Sequence, residues 1–354
     1  MRKQLCKSVL MVFLGLVVGF SFVCSGWSAD NVIIKMASEY NDKHPTVRNG
    51  WFPWIEELKK KTDGQLVIQF YNPNTLVPAK EVYNAVTAGS VDLGATPQWL
   101  SYGKFPLSDV VTLPMMFNGA EAGSLTIWGL YQTFPEWREE YKDVKILWQW
   151  TSATLQFHTK KKEIKTLEDL QGMKIIGWGA NGLRMIKALG ANPIEVTPHD
   201  TYLALERGMA DGVLCPLAPM KAFKITDAAK FHTIVDAYCD SFWAGMNWNK
   251  WNSLPENLKK LLTDTTGRQM AEISGKTLDE GAIADAKWMK GQGHKFYLLP
   301  KAEKKRWKEK VNFMAEDWIK SMEEKGYKNA RKIYEETVKL ADKYSNETVG
   351  GYTE

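Results

Sequence analysis

A ten-residue segment occurs twice in this chain, and the distance between its copies constrains the fold more than any other feature. Residues 83–92 reappear in similar form at 202–211, and an Asn-Pro pair and a second proline precede each copy. Solenoid units recur every 20–50 residues, so this wider spacing indicates one helix–turn–strand unit used once in each of two similar lobes. Two α/β lobes place a cleft between them, and small molecules commonly bind in such clefts. The pattern therefore predicts a two-lobed binding protein.

The N-terminus has the three parts of a secretory signal. Three bases lie within residues 2–7, an apolar run follows at 9–23, and small residues occupy much of 25–29. The run is short for a transmembrane helix. We therefore predict a signal peptide over 1–29, cleaved between Cys24 and Ala29, and a periplasmic location. A lipid anchor at Cys24 is the alternative, which Phe22 and Val23 disfavour.

Charge and cysteine content limit the classes of partner. The formal charge is +5, but three of the bases lie in the leader, so the exported part carries about +2. Lysines and acids are interleaved, which is not the pattern of a nucleic-acid-binding surface. Outside the leader region only Cys215 and Cys239 remain. They either form a disulfide, which would contribute roughly 3 kcal/mol, or stay as two buried thiols.

Hydrophobic periodicity predicts α/β units in both halves of the chain. In the first half, strands at 32–37, 66–70 and 91–95 alternate with helices, an order that implies a parallel sheet. In the second half, strands are expected at 174–176, 193–196 and 211–215, with a helix at 183–189. Thr166 and Asp169 have the spacing of a capping box. Beyond residue 255 the chain reads as amphipathic helices.

We assign 30–149 and 241–275 to lobe I, and 150–240 and 276–354 to lobe II.

A glycine-rich turn resembles a dinucleotide-binding fingerprint. Gly177, Gly179 and Gly182 follow a predicted strand and open a helix, and Glu195 ends the next strand. The helix is short, however, and the acid follows the last glycine by fewer residues than the fingerprint requires. An interpretation in which the glycines shape a turn that faces a ligand is favoured over NAD binding.

The sequence contains no recognised arrangement for metal binding or covalent catalysis. The five histidines form no HExxH motif, and neither CxxC nor GxSxG occurs. We therefore expect no enzymatic activity, no metal and no cofactor.

Four segments resemble motifs of one transporter family. They are residues 167–175, 188–193, 202–212 and 247–255. In this order the chain resembles the extracytoplasmic solute-binding proteins of tripartite ATP-independent periplasmic (TRAP) transporters, of the dicarboxylate-binding type. The resemblance runs from about residue 32 to 255, and more loosely to the C-terminus.

The resemblance implies a two-lobed periplasmic-binding-protein (flytrap) fold of the α/β class. Each lobe is expected to hold a mixed, mostly parallel sheet flanked by helices, with long C-terminal helices packing across both lobes. The implied function is capture of a small organic molecule between the lobes and its delivery to membrane permease subunits, by a monomer. An exported NAD-dependent oxidoreductase and the receptor of an ATP-driven importer are the alternatives.

One departure from the family pattern concerns the ligand. The family's usual carboxylate-binding arginine corresponds to Ile176, and a second arginine position corresponds to Leu155. Arg48 and Arg184 are candidate replacements as anion partners, or they are ordinary surface arginines. We therefore expect an aromatic, zwitterionic or polyhydroxylated ligand rather than a plain dicarboxylate.

The candidate ligand-binding residues follow strand ends or lie on the strand that returns between the lobes. Ligands of open α/β sheets bind beyond the carboxyl ends of the strands. The candidates are Glu39, Tyr40, Gln98, Trp99, Gln156, His158, Trp178, Cys215, Phe242, Trp243 and Asn247.

Overall fold

Eleven strands form two mixed sheets in residues 31–218 and 220–352, the part of the chain that the computed structural model describes. The strands are β1 (Val32–Ser38), β2 (Leu66–Tyr71), β3 (Leu93–Pro97), β4 (Val144–Thr151), β5 (Leu155–Thr159), β6 (Lys174–Gly177), β7 (Asn192–Glu195), β8 (Gly212–Pro216), β9 (Phe231–Ile234), β10 (Ser241–Asn247) and β11 (Lys295–Leu298). The predicted leader and its cleavage site lie outside the described residues.

Fourteen α-helices accompany these strands in the same described residues. They are α1 (Phe52–Lys61), α2 (Val82–Thr87), α3 (Ala120–Thr133), α4 (Pro135–Glu140), α5 (Leu167–Leu170), α6 (Gly179–Ala188), α7 (Thr201–Glu206), α8 (Ile225–Ala228), α9 (Trp248–Ser253), α10 (Glu256–Thr265), α11 (Arg268–Gly291), α12 (Lys301–Val311), α13 (Phe313–Glu324) and α14 (Ala330–Glu347). The predicted capping box of Thr166 and Asp169 is present at the start of α5.

Both sheets are mixed, as the α/β prediction requires. The first has the order β2-β1-β3-β10-β4, in which β1 runs parallel to β2 and β3, and β10 runs antiparallel to its neighbours. The second has the order β11-β9-β5-β8-β6-β7, in which β6 runs parallel to β7 and β8. The fold-class prediction is confirmed, whereas the exact lobe boundaries stay a prediction.

The sequence repeat marks the same structural device in each sheet. The Asp92 carboxylate accepts a 2.8 Å hydrogen bond from the Lys35 backbone N–H, and the Asp211 carboxylate accepts one of 2.9 Å from Lys174 N–H. Each aspartate thus holds the start of one strand against its neighbour. Because the aspartates close the turns, β3 begins at Leu93 and β8 at Gly212, slightly later than predicted.

The glycine-rich segment also differs from its prediction. Residues 179–182 form the first turn of α6, which therefore begins four residues before the expected position. Gly179 adopts φ 70°, a conformation that favours glycine.

Two extended segments connect the sheets side by side. One joins β4 to β5 and the other joins β9 to β10. Ser152 N–H donates to the Asp240 carbonyl at 2.8 Å, and Asp240 N–H donates to Ser152 Oγ at 2.9 Å. Farther along, Leu155 N–H donates to the Tyr238 carbonyl at 2.8 Å. The sheets are therefore joined through two connecting segments that are hydrogen-bonded to each other.

The C-terminal helices pack on elements of both halves. On α11, the Asp279 carboxylate accepts bonds of 2.8 and 2.9 Å from the N–H groups of Ala120 and Glu121, at the start of α3. This contact places a carboxylate at the positive end of a helix. On α12, Glu303 accepts a 2.9 Å bond from Leu167 N–H at the start of α5. These contacts agree with the predicted packing across both lobes.

Candidate functional site

A cleft lies at the carboxyl ends of parallel strands from both sheets. Lining residues follow β1, β2 and β3 on one side and β6, β7 and β8 on the other. The lining residues are Glu39, Tyr40, Asn41, His44, Pro73, Pro97, Trp99, Ser152, Trp178, Pro198, His199, Pro216, Ala222, Phe223, Asp240, Phe242 and Leu278.

Aromatic rings form the first-sheet wall of the cleft. Tyr40 stacks on His44 with ring centroids 3.8 Å apart, and its centroid lies 5.4 Å from that of Phe242. Phe242 in turn stacks on the buried Trp150 at 5.0 Å. Trp150 thereby fixes the orientation of the Phe242 ring, which β10 presents to the cleft.

Trp178 forms part of the opposite wall. It precedes α6 in an extended conformation, and its carbonyl accepts a 3.1 Å hydrogen bond from the Tyr238 hydroxyl. A Cβ atom on Gly182 would overlap that hydroxyl oxygen. The glycine-rich turn therefore permits Tyr238 to hold the Trp178 backbone. The buried indole Nε1 of Trp178 has no hydrogen-bond partner among the described residues, so it is a free donor.

Two carboxyl groups lie in the cleft without a protein partner. Neither the Glu39 nor the Asp240 carboxylate has a hydrogen bond or ion pair within the described residues. Burial raises the pKa of each from its ordinary value to about 7. The lining contains no lysine or arginine, and burial lowers the pKa of His44 to about 3. The electrostatic character of the inner cleft is thus acidic.

Five of the sequence-predicted site residues meet in this cleft. They are Glu39, Tyr40, Trp99, Trp178 and Phe242. Their assignment as ligand contacts is taken up below as a proposal.

Two other candidates from strand ends lie outside the lining because they hold connecting segments in place. Gln98 is buried and hydrogen-bonded to Tyr141 and Ser241. The Gln156 side-chain oxygen accepts bonds of 2.7 and 2.9 Å from the N–H groups of Val235 and Asp236. Both amides are therefore already engaged within the protein.

The remaining four candidates do not line the cleft and instead pack or form hydrogen bonds within the protein. Trp243 points to the other face of β10, where its ring centroid lies 5.5 Å from that of Tyr83. Asn247 accepts a 3.0 Å bond from Lys250 N–H and caps α9. His158 is fully buried in the second sheet, and its Nε2 lies 3.0 Å from the carbonyl oxygen of Cys215. Cys215 is buried on β8, although Pro216 beside it reaches the cleft.

Neither candidate arginine lines the cleft. Arg48 is exposed in the turn that precedes α1. Arg184 is exposed on α6, where it pairs with Asp317 and lies 5.1 Å from the Phe313 ring centroid. The cysteines form no disulfide, since Cys215 and Cys239 are both free and buried.

Sequence reasoning missed several lining residues. His199 and Pro216 follow strand ends, so the rule that located Trp178 could have found them. Ser152 and Asp240 lie in the paired connections between the sheets, and nothing local in the sequence marks those connections as part of a site.

Within the described residues, no group of three or more acidic, histidine or cysteine side chains could hold a metal ion. None of the helices in this part of the chain combines the length and the apolar character that a membrane span requires.

The fold and the cleft have counterparts among known proteins. A TRAP solute-binding protein from Rhodoferax ferrireducens T118, in complex with copurified benzoate, is 26% identical with a TM-score of 0.84, covering 90% of this chain and 99% of that one. A marine metagenome TRAP solute-binding protein specific for aromatic acid ligands, in complex with 3-hydroxybenzoate, is also 26% identical, with a TM-score of 0.83 and coverage of 89% and 99%.

Among curated proteins, the monocarboxylate 2-oxoacid-binding periplasmic protein of Nostoc sp. is 28% identical over 240 residues, 61% of this chain and 62% of that protein. The matches to three such relatives span 58–64% of the relatives' own lengths. The model of the bacterial extracellular solute-binding proteins, family 7, matches residues 36–328. The chain therefore belongs to this family of TRAP solute-binding proteins.

Proposed function

We propose that this protein is the periplasmic receptor of a TRAP transporter. It captures a small organic molecule in the cleft between the two sheets and delivers it to membrane permease subunits. The observation that carries the proposal is the cleft itself, into which strands of both sheets direct aromatic side chains. The receptor acts as a monomer, without enzymatic activity and without a nucleic-acid partner.

The paired connections at Ser152 and Asp240 act as a hinge in this proposal. Ligand contacts made to both walls stabilise the closed state relative to the open one, and the permease recognises the closed state. Tyr40 and Phe242 supply one wall, and Trp178 supplies the other. Trp99 and Glu39 complete the proposed contact set.

The ligand is an aromatic, zwitterionic or polyhydroxylated molecule in this proposal, and not a plain dicarboxylate. Ile176 is fully buried on β6 where the family's usual arginine is expected, and no lysine or arginine lines the inner cleft beside Glu39 and Asp240. A carboxylate pair would therefore meet Glu39 and Asp240 without compensating charge. We expect calorimetry to show weak binding of succinate.

Two experiments test the receptor function. Small-angle scattering with and without a metabolite extract should show a more compact protein when the ligand is present. Vesicles that contain the permease should accumulate the ligand only with this protein and a cation gradient, and without ATP. Turnover of NADH would instead favour the oxidoreductase alternative, and a strict need for ATP would favour the ATP-driven importer.

A further inference from the structure

The buried carboxyl groups of the cleft carry an inference about the chemical class of the ligand. The Asp240 side chain is 7% exposed, lines the cleft and has no hydrogen bond or ion pair within the described residues. The Glu39 Oε2 atom is buried and equally without a partner. A desolvated carboxylate that no group compensates costs several kcal/mol in a typical protein interior. Such an arrangement persists where a bound partner compensates it.

The groups around the carboxylates indicate the charge and the hydrogen-bond donors of that bound partner. A carboxylate can only accept hydrogen bonds, whereas an ammonium group offers three donors. The rings of Tyr40, Trp178 and Phe242 lie in the same lining, and aromatic faces attract cations. We propose that the receptor recognises a small organic molecule through a protonated nitrogen, which pairs with a cleft carboxylate, that of Glu39 or Asp240, against these rings. This inference rests on the proposed receptor function and deepens it.

Other groups of the cleft are suited to the part of the ligand beyond its nitrogen. The unpartnered Trp178 Nε1 donates to an oxygen of the ligand. The outer part of the cleft adds Lys80 from the first-sheet side and Glu195 from the end of β7. An amine with an attached oxygen-bearing group therefore fits better than a bare alkylamine. A quaternary ammonium has no N–H group, so it satisfies the rings but leaves both carboxylates unpaired.

The dependence of binding on pH distinguishes a cation from an anion. A cation needs an ionised carboxylate, and the pKa values of Glu39 and Asp240 are both about 7. Its affinity should therefore increase from about pH 6 to about pH 8, and binding should release protons. A carboxylate ligand would accept hydrogen bonds from the protonated acids, bind more tightly at lower pH and take up protons. The other titratable groups near these acids are Tyr40, His44, His199, Cys215, Tyr238 and Cys239, with Lys80 and Glu195 in the outer cleft.

These neighbouring groups do not reverse the expected increase of affinity with pH. Burial lowers the pKa of His44 and raises the pKa values of Tyr40, Cys215, Tyr238 and Cys239, so all five stay neutral across that pH range. His199 is exposed at the rim. Its contribution is removed by repeating the titration with His199→Gln.

The experiment uses an extract of cellular small molecules as the probe. The acidified extract is divided on a sulfonate resin, which retains compounds that carry a basic nitrogen and passes simple acids and sugars. Each neutralised fraction is then tested for its effect on the Tm of the purified protein. We expect the retained fraction to raise the Tm and the flow-through to leave it unchanged. A shift produced by the flow-through alone overturns the inference but leaves the receptor function intact, whereas no shift with the whole extract counts against the receptor function itself.

Isosteric variants connect the result to the two carboxyl groups. At least one of Glu39→Gln and Asp240→Asn should raise at least tenfold the amount of retained fraction needed for the half-maximal shift. Without ligand, both variants should be as stable as the parent protein or more stable, because an uncompensated buried charge is gone. Glu57→Gln on the exposed face of α1 is the control and should change neither quantity. Unchanged ligand response in both cleft variants would overturn the proposal.

Discussion

His158 and His232 face each other in the core of the second sheet with their Nδ1 atoms 2.8 Å apart. One of these nitrogens must donate, and the neighbours decide which. His158 Nε2 lies 3.0 Å from the Cys215 carbonyl oxygen, which can only accept. A neutral His158 therefore carries its proton on Nε2 and accepts at Nδ1, so His232 donates from Nδ1.

The same assignment of donors and acceptors continues through a series of hydrogen bonds that ends at Lys230. His232 Nε2 must then accept from His294 Nδ1 at 2.8 Å, and His294 Nε2 accepts from the Lys230 ammonium at 3.1 Å. Four hydrogen bonds thus run in one direction, from Lys230 to the Cys215 carbonyl. Every bond is satisfied only while the three imidazoles are neutral.

The hydrogen-bonded series of three neutral histidines predicts that the folded protein loses stability at acidic pH. Burial lowers the pKa values of His158 and His232 below the unfolded value near 6.5. The unfolded state therefore binds more protons, and the contribution of these residues to stability is lost as pH falls below about 6.5. His232→Gln should be less stable near pH 8 by about 1–3 kcal/mol, because a buried network loses a partner. Its Tm should also decrease less than that of the parent protein between about pH 7 and pH 5.

Thermal unfolding across that pH range is the measurement. The exposed His199→Gln is the matched control, and its Tm should follow the pH dependence of the parent protein. If His232→Gln keeps the full pH dependence, the neutral histidine chain is not the source of it.

The paired aspartates of the repeat predict similar effects in two separate sheets, although Asp92 also lies 3.9 Å from the Lys250 ammonium. Asp92→Ala and Asp211→Ala each remove the side-chain acceptor of an exposed backbone N–H, that of Lys35 or of Lys174, at a cost of about 0.5–1.5 kcal/mol. Asparagine retains an oxygen acceptor, so Asp92→Asn and Asp211→Asn should recover part of the loss. Because the sites share no contacts, the double alanine variant should lose the sum of the single losses. Denaturant unfolding measures all five variants, and strong non-additivity would contradict the independence of the two sites.

The sequence predicts the fold well because its signals are local. The capping box of Thr166 and Asp169 acts through residues close in the chain, and the repeat that ends at residues 92 and 211 is a pattern of the sequence itself, so both are readable without the structure. The predicted start of α6 at residue 183 is wrong: Gly179 and Gly182 have low helix propensity, but the structure places both in the first turn of α6.

The site is less predictable because its residues are positioned by contacts between segments that are distant in the sequence. The strand-end rule places Glu39, Trp99 and Trp178 in the cleft. It cannot tell that Gln156 turns toward the backbone of 235–236, or that Asp240 remains unpaired. Those outcomes depend on how two connections pair across the sheets, and long-range pairing leaves no local periodicity.

The two cysteines should behave as separate buried thiols. Burial raises the pKa of both, so neither thiolate forms readily in the folded protein. A thiol reagent should label neither cysteine under native conditions and both after denaturation without reductant, in protein that lacks the leader. Absence of label after denaturation, restored by reductant, would indicate a disulfide between Cys215 and Cys239.

Trp178 should contribute strongly to ligand affinity. Its ring lines the cleft, its Nε1 is unpaired, and the Tyr238 hydroxyl fixes its backbone. Loss of a stacked ring costs about 0.5–1.5 kcal/mol beyond the buried area, so Trp178→Ala should raise at least tenfold the amount of extract needed for a half-maximal Tm shift.

Truncation of a nearly buried tryptophan also costs about 3–5 kcal/mol of stability, so a second variant is needed. Trp178→Phe retains an aromatic face but lacks the N–H donor. If stacking dominates, Trp178→Phe should keep most of the affinity; if the hydrogen bond dominates, it should lose about as much as alanine. The partly exposed Trp288 packs under Lys221 outside the cleft, so Trp288→Ala controls for the general loss of a tryptophan. Equal ligand responses in Trp178→Ala, Trp288→Ala and the parent protein would remove Trp178 from the site.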